Sequence, residues 1–228
     1  MKLDHVVWFT GRTPEIVASQ YPGAVIGGSH EKWGTYNALL YLQNAYIEWL
    51  AIEKAEVAEL STHPLVMQLK HDLAAYGGGW GTLCISTEDI YALNDRLNKM
   101  GMQTSGVLDA SRLTSSGTLK KWKMLFVNEE DLTDLPAPFF IQWEESEQSR
   151  RDALRAEGAL TKESEAERIS ECGLVTREPG RTLERWCRIL GTQSEDAESL
   201  KLNDVRLRFI ESPDERNRML AVVTGQAE

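Results

Sequence analysis

The sequence predicts an α+β fold assembled from repeated β-α-β-β-β units. Three observations carry that expectation. Short apolar runs of strand character are bounded by clusters of Gly, Pro and Asn. Each set of runs contains one amphipathic helical stretch at the same relative place. The order of strand, helix and three strands appears twice in residues 1–145 and again, more weakly, in residues 169–228. The repeat is one of topology rather than of sequence.

The first unit, 1–55, opens with the strand LDHVVWFT (3–10). A helix follows from TPEIVASQY, with Thr13 as N-cap and Pro14 at the first helical position, where a missing N–H costs nothing. PGAVIGGSHEKWG reads as loop holding a short strand. TYNALLYL (35–42) and AYIEWLAIE (45–53) alternate as strands and form a hairpin through Gln43-Asn44. Residues 56–77 are helical in two pieces, broken at His63-Pro64 because proline cannot continue a helix. The second unit, 79–145, repeats the order. GTLCIST (81–87) is a strand, and EDIYALNDRLNKMG (88–101) is a helix with Ile90, Leu93, Leu97 and Met100 at helical spacing. GVLDASRLTS, TLKKWKMLFV and PFFIQWEE (138–145) supply three strands, the last after a polar loop. Residues 146–168 are strongly charged and read as a solvated helix or linker. In 169–228, ISECGLV is a strand and RTLERWCRILG (181–191) a helix. ESLKLND, VRLRFIES and NRMLAVVTG complete this third unit, with Asn203-Asp204 as a hairpin turn.

Bulk properties exclude several function classes. A formal net charge of −10 disfavours binding to a phosphate backbone, so no nucleic-acid partner is expected. No apolar run approaches the roughly 20 residues of a membrane span, and no early segment has signal-peptide form. Cys84, Cys172 and Cys187 are scattered, without a C-x-x-C pair, which suits a reducing compartment. A cytoplasmic protein with no membrane partner is the expectation.

Two polar residues interrupt apolar strands: His5 in the first and Glu48 in the last strand of the first unit. Strand parity places Leu3, His5, Val7 and Phe9 on one face, and Tyr46, Glu48, Leu50 and Ile52 on one face of the other strand. A His and a Glu on inner faces of neighbouring strands can ligate a divalent metal. They can equally form a His–Glu hydrogen bond in a polar pocket. Overlaying HVVWFT on TLCIST puts Thr82 opposite His5, and overlaying YIEWL on FIQWE puts Gln142 opposite Glu48. Glu144, two residues further along the same face, is a second candidate.

The paired units, with LDHVV at the start, WGTYNALLYL, and the Glu-bearing AYIEWLAIE, resemble the vicinal oxygen chelate superfamily, and more narrowly a glyoxalase-like branch of it. The resemblance covers residues 1–145. It implies that the paired modules curl into a half-open barrel, with the third, smaller unit outside it. It also implies a divalent metal (Zn, Ni, Mn or Fe) at the centre of the barrel, with His5, Glu48 and Gln142 in ligand positions and Thr82 beside them. Glu48 would be the catalytic base of a metal-dependent lyase, isomerase or oxygenase acting on a small oxygen-rich molecule. The alternative is a non-catalytic binding protein of the bleomycin-resistance type.

By the same resemblance Trp33 and Asn37 shape the pocket mouth, while His30, in a Gly-rich loop, is expected to be exposed. Arg112 and Lys121 are cations that would favour an anionic ligand. Tyr46 and Trp122 are expected in the core. A third unit with an uncovered sheet face points to a homodimer in which third units pair.

Overall fold

The computed structural model describes residues 1–113, 117–128, 131–211 and 217–226. The first module runs β1 (Lys2–Phe9), α1 (Pro14–Gln20), β2 (Val25–His30), β3 (Thr35–Tyr41) and β4 (Tyr46–Ile52). Thr13 caps α1, its side chain accepting from the Ile16 N–H, with Pro14 in the first turn. β2, β3 and β4 form an antiparallel meander, and β4 returns to lie parallel to β1. Helices α2 (Ala55–Leu60) and α3 (Pro64–Tyr76) are separated at His63-Pro64, as the proline predicts. Gly77 ends α3 at φ 71°, a left-handed conformation that glycine adopts without steric cost.

The second module runs β5 (Gly79–Ser86), α4 (Ile90–Lys99), β6 (Leu108–Leu113), β7 (Leu119–Leu125) and β8 (Phe139–Trp143). Thr114 and Ser115, expected to end the β6 strand, lie outside the described residues, as do Glu129 and Glu130 in the following loop. All eight strands form one sheet in the order β2-β3-β4-β1-β5-β8-β7-β6. The two modules meet through their first strands, β1 antiparallel to β5. The sheet curls until its two edges approach: Arg112 on β6 donates to Asn37 on β3 at 3.2 Å, across the edge strand β2. This nearly closed barrel matches the expected half-open one.

Alternation along the strands divides the apolar side chains between two cores. Val7, Phe9, Leu50, Met124 and Phe139 point into the barrel, where Leu65 and Leu69 of α3 meet them. Val6, Ile47, Trp49, Leu83, Ile85 and Phe140 point outward. That outer core continues into the C-terminal unit, including Cys172, Leu174, Trp186, Leu207 and Phe209.

Residues 146–168 form α5 (Glu147–Ala156) and α6 (Lys162–Glu165), and α5 has no buried residue. The C-terminal unit is β9 (Glu167–Thr176), α7 (Pro179–Leu190), β10 (Ser199–Leu202), β11 (Val205–Glu211) and β12 (Met219–Gln226). Ser212, at the end of the expected VRLRFIES strand, and the last two residues of the chain lie outside the described residues. The sequential order is β-α-β-β-β as expected, but the pairing differs from a full module. The sheet order is β10-β11-β9-β12. β11 is parallel to β9, as β4 is to β1, and β12 is antiparallel to β9, as β5 is to β1. Among the described residues the unit therefore has no strand corresponding to β2, and β12 stands on β9 where β5 stands on β1. Asn203 makes the β10–β11 turn at φ 55°. The face of this sheet away from the core carries Arg206, paired with Glu195 at 3.3 Å, and Arg208, paired with Glu198 at 3.5 Å. The uncovered face behind the homodimer expectation thus carries charged pairs. No helix among the described residues is long and apolar enough to cross a membrane.

One buried ion pair ties the C-terminal unit to the barrel. Arg218, just before β12, donates to both oxygens of Asp72 on α3 at 2.8 and 2.6 Å. It also donates to the backbone carbonyls of Asp134 at 2.8 Å and Leu132. Both side chains are almost fully buried, so removing one partner strands a charge. Asp72→Ala is expected to cost about 3–5 kcal/mol in urea denaturation; a loss below about 1 kcal/mol would mean that the carbonyls alone satisfy the guanidinium.

Candidate functional site

The barrel centre is built from β1, β3 and β4. A bulge interrupts the β1–β5 register between Leu3 and His5. It sends Leu3 to the outer core and brings two consecutive polar side chains together, a common use of bulges near functional sites. Asp4 Oδ1 lies 2.8 Å from His5 Nδ1. On the other side of the ring, His5 Nε2 lies 3.4 Å from Glu48 Oε2. Asn37 donates to Glu48 Oε1 at 2.5 Å, and Arg112 completes the chain through Asn37 Oδ1. Trp143 donates its indole N–H to Asp4 Oδ2 at 2.9 Å, and Tyr46 stacks on the His5 ring with centroids 4.4 Å apart. Glu48, a carboxylate in an apolar strand, is therefore paired on both oxygens.

The charges follow from this geometry. Burial works against an ionised Glu48, but the His5 hydrogen bond and charge and the Asn37 hydrogen bond outweigh it and hold the carboxyl at about 2. Burial also opposes an ionised Asp4, and His5 and Arg150 overcome it, lowering that carboxyl. For His5, burial opposes the imidazolium, while Cys84, Asp4 and Glu48 favour it and raise it well above its ordinary value. Burial pushes the Cys84 thiol up to about 12, so the thiol is neutral at ordinary pH and the two carboxylates carry the effect on His5. The barrel centre is an imidazolium clamped between carboxylates.

The sequence-predicted site residues divide into groups. His5, Glu48, Asn37, Trp33 and Arg112 line one cavity inside the barrel. Lys121 and Glu144 are exposed and lie on an outer cleft that shares His30, Trp33, Arg112 and Trp122 with that cavity. Gln142 does not face the barrel: its side chain accepts from the Ile90 N–H at the start of α4, on the outside of the sheet. Strand register explains the error. His5 and Val7 pair with Tyr46 and Glu48 on β4, and Cys84 pairs with Phe139 on β8; Phe139 and Ile141 take the barrel side of β8, which leaves Gln142 on the other. The overlay of FIQWE on YIEWL is therefore out of step by an odd number of residues, which turns a side chain to the other face. Thr82 is the fourth residue of β5, as His5 is of β1, and is buried, but it does not line the cavity; across the ladder it pairs with Val7, while Cys84 pairs with His5.

A metal held as the resemblance implies needs donors from both modules. The second module sets Cys84 across the ladder from His5 and turns Phe139 and Ile141 into the cavity, and neither of these β8 side chains has a donor atom. The shell His5, Glu48 and Gln142 does not assemble. Ligand atoms of Asp4, His5 and Cys84 do lie within 4.8 Å of one another. There, Asp4 already pairs with His5 and Trp143. The two-module donor set that the resemblance implies does not fit a resident divalent metal.

Two histidines were not read from the sequence as site residues. His30, expected to be exposed, is buried and lines the cavity, with Nδ1 3.1 Å from Thr35 Oγ1. It ends β2, and the turn back to β3 folds it inward, with the Gly34 N–H donating to the His30 carbonyl at 3.0 Å. His63, at the break between α2 and α3, also lines the cavity and packs on Trp33 with ring centroids 4.1 Å apart. Three of the four histidines in the chain thus converge on one space, a clustering that residue-by-residue reading does not reveal. Tyr46 and Trp122, expected in the core, line it as well. Burial takes His30 and His63 down to about 4, so both rings are neutral at ordinary pH. The cavity is about 40 Å³, room for water but not for an organic molecule, whereas the outer cleft is about 770 Å³. The two spaces are separated by the residues they share, His30, Trp33, Arg112 and Trp122.

Two outcomes follow. A carboxylate held at about 2 against an ordinary 4.5 contributes stability that is full above the ordinary value and fades as pH falls towards 2. Urea denaturation of the wild type and Glu48→Gln is expected to differ by about 3 kcal/mol at neutral pH, with the gap closing in that acid window; a gap independent of pH would refute the paired carboxylate. A Cβ at Gly27 would sit 2.0 Å from Asn37 Oδ1 and 2.9 Å from Arg112 Nη1. Gly27→Ala should therefore cost about 1–3 kcal/mol by forcing that pair apart; an unchanged melting temperature would show that it yields freely.

A family model described as a glyoxalase-like domain matches residues 3–190, beyond the 1–145 of the sequence resemblance. No curated protein matches the chain. Among solved structures, a hypothetical protein from Staphylococcus aureus is 23% identical with a TM-score of 0.83, and the alignment covers 100% of this chain and 91% of that one. It shares the fold. Methylmalonyl-CoA epimerase from Streptomyces coelicolor, in complex with 2-nitronate-propionyl-CoA, is 17% identical with a TM-score of 0.46 over 64% of this chain and 99% of its own. The epimerase from Mycobacterium tuberculosis is 17% identical with a TM-score of 0.44 over 66% of this chain and 91% of its own. The module order, the barrel and the family match agree, and the chain belongs to the glyoxalase-like domain family of the vicinal oxygen chelate superfamily.

Proposed function

We propose that this chain binds a small, oxygen-rich anion in its barrel and does so without a resident divalent metal. The observation that carries this reading is the His5 ring, closed on both nitrogens by Asp4 and Glu48, while β8 of the second module turns only Phe139 and Ile141, without donor atoms, into the same cavity. Arg112 supports an anionic ligand: it lines both cavity and cleft, and no described protein atom accepts from its buried Nε. Lys121 adds positive charge at the rim of the cleft. A Glu48 carboxyl held at about 2 and paired with an imidazolium is a weak base, which favours binding over proton abstraction.

A metal-dependent lyase, isomerase or oxygenase is the competing reading. One observation favours it: Asp4 on Nδ1 orients His5 as second-sphere carboxylates orient ligating histidines, leaving Nε2 towards Glu48. A melting-temperature screen of small carboxylic acids, with and without EDTA, separates the two. Stabilisation by an acid that EDTA leaves unchanged is the expected result. Binding that requires stoichiometric Zn, Ni, Mn or Fe would overturn it in favour of the enzyme.

A further inference from the structure

His63 is about nine-tenths buried, with 9% of its surface exposed, and lines the barrel cavity. Neither ring nitrogen has a hydrogen-bond partner among the described protein atoms. Its ring lies against Trp33 and meets the edge of Phe126 at 5.2 Å, with Leu65 and Val66 following it in the chain. A buried polar group left without a partner costs stability, and an apolar side chain of similar shape avoids that cost. The connection between α2 and α3 does not need a histidine to end or start a helix: Pro64 opens α3, and the His63 side chain makes no capping bond. The fold alone gives the imidazole no use.

The rest of the cavity supplies one. The polar line Asp4–His5–Glu48–Asn37–Arg112 occupies one side and is internally paired as far as Arg112. His30 is bound to Thr35. His63 is therefore an uncommitted hydrogen-bonding ring beside an otherwise apolar wall that includes Trp122, Met124, Phe139 and Ile141. We propose that His63 is a ligand-binding residue of this cavity, its ring hydrogen-bonding an oxygen of a small monocarboxylic acid whose carboxylate is drawn to Arg112 and whose apolar body lies past Trp33 in the outer cleft. The assignment rests on the anion-binding reading above and adds the second polar contact and the class of ligand. An acid with a keto or hydroxyl oxygen suits a neutral imidazole, which both donates and accepts. Trp33, shared by cavity and cleft, packs on the same ring and stands where the ligand would pass.

The test uses two variants, His63→Phe and His63→Leu, on the whole chain. Without added ligand, at least one is expected to melt about 3 °C above the wild type, because unpaired nitrogens leave an apolar site. If both melt lower, the nitrogens have a partner in the folded protein and the proposal is overturned. The probes are 4-methyl-2-oxopentanoate, phenylpyruvate and benzoate at millimolar concentration, with Lys123→Ala as a control whose side chain pairs with Asp109 at the rim. A melting shift by either 2-oxo acid that survives in Lys123→Ala and is lost in both His63 variants supports the assignment. A shift that persists undiminished in both overturns His63 alone and leaves the anion reading standing. No shift of the wild type by any of the three acids overturns the anion reading, and with it the ligand named for His63.

Discussion

The antiparallel pairing of β1 with β5 is the constraint from which the rest of the molecule follows. It joins two modules by their first strands, making one eight-stranded sheet of two four-stranded ones. A sheet of that length twists, and here it curls until Arg112 reaches Asn37. The same pairing sets His5 opposite Cys84 at the centre, so the chemistry of the site is decided by which residues occupy two adjacent strand positions. The strand side chains that line the cavity are placed by their offset from that line.

A barrel centre with this many polar groups persists because each carries its own counter-charge. Two carboxylates and an imidazolium in one small volume would be prohibitive singly, since burial disfavours each ion. Arranged in sequence, each ion stabilises its neighbour, and Asn37, Arg112 and Trp143 supply the remaining hydrogen bonds. The arrangement is directional: it fixes the ring of His5 and the carboxylate of Glu48 in one orientation before any ligand arrives. Buried networks of this kind favour one geometry over competing ones more than they raise stability.

Much of the fold was legible because alternation, proline and glycine act locally. Thr13-Pro14, the His63-Pro64 break and the inward parity of His5 and Glu48 all depend on neighbours a few residues away. The second half of the site was not legible, because correspondence between modules depends on register, and register is set by long-range pairing. FIQWE and YIEWL look alike, yet Glu48 faces the barrel and Gln142 faces out of it. Asp4 was hidden by a bulge that no local pattern announces. His30 and His63 were hidden because they sit at the ends of elements, where the path of the chain, not its periodicity, decides which way a side chain turns.

The C-terminal strand β12 has a consequence for how such chains grow. In the first two units the free flank of the opening strand is the socket through which a neighbouring module is added. In the third, β12 from the same chain fills the socket on β9. The same strand holds Arg218 at its entrance, bolted to Asp72 in the barrel, so the plug is anchored as well as seated. A unit joined to β9 as β5 is joined to β1 would have to displace that strand, and the unpaired edges of this sheet are β10 and β12.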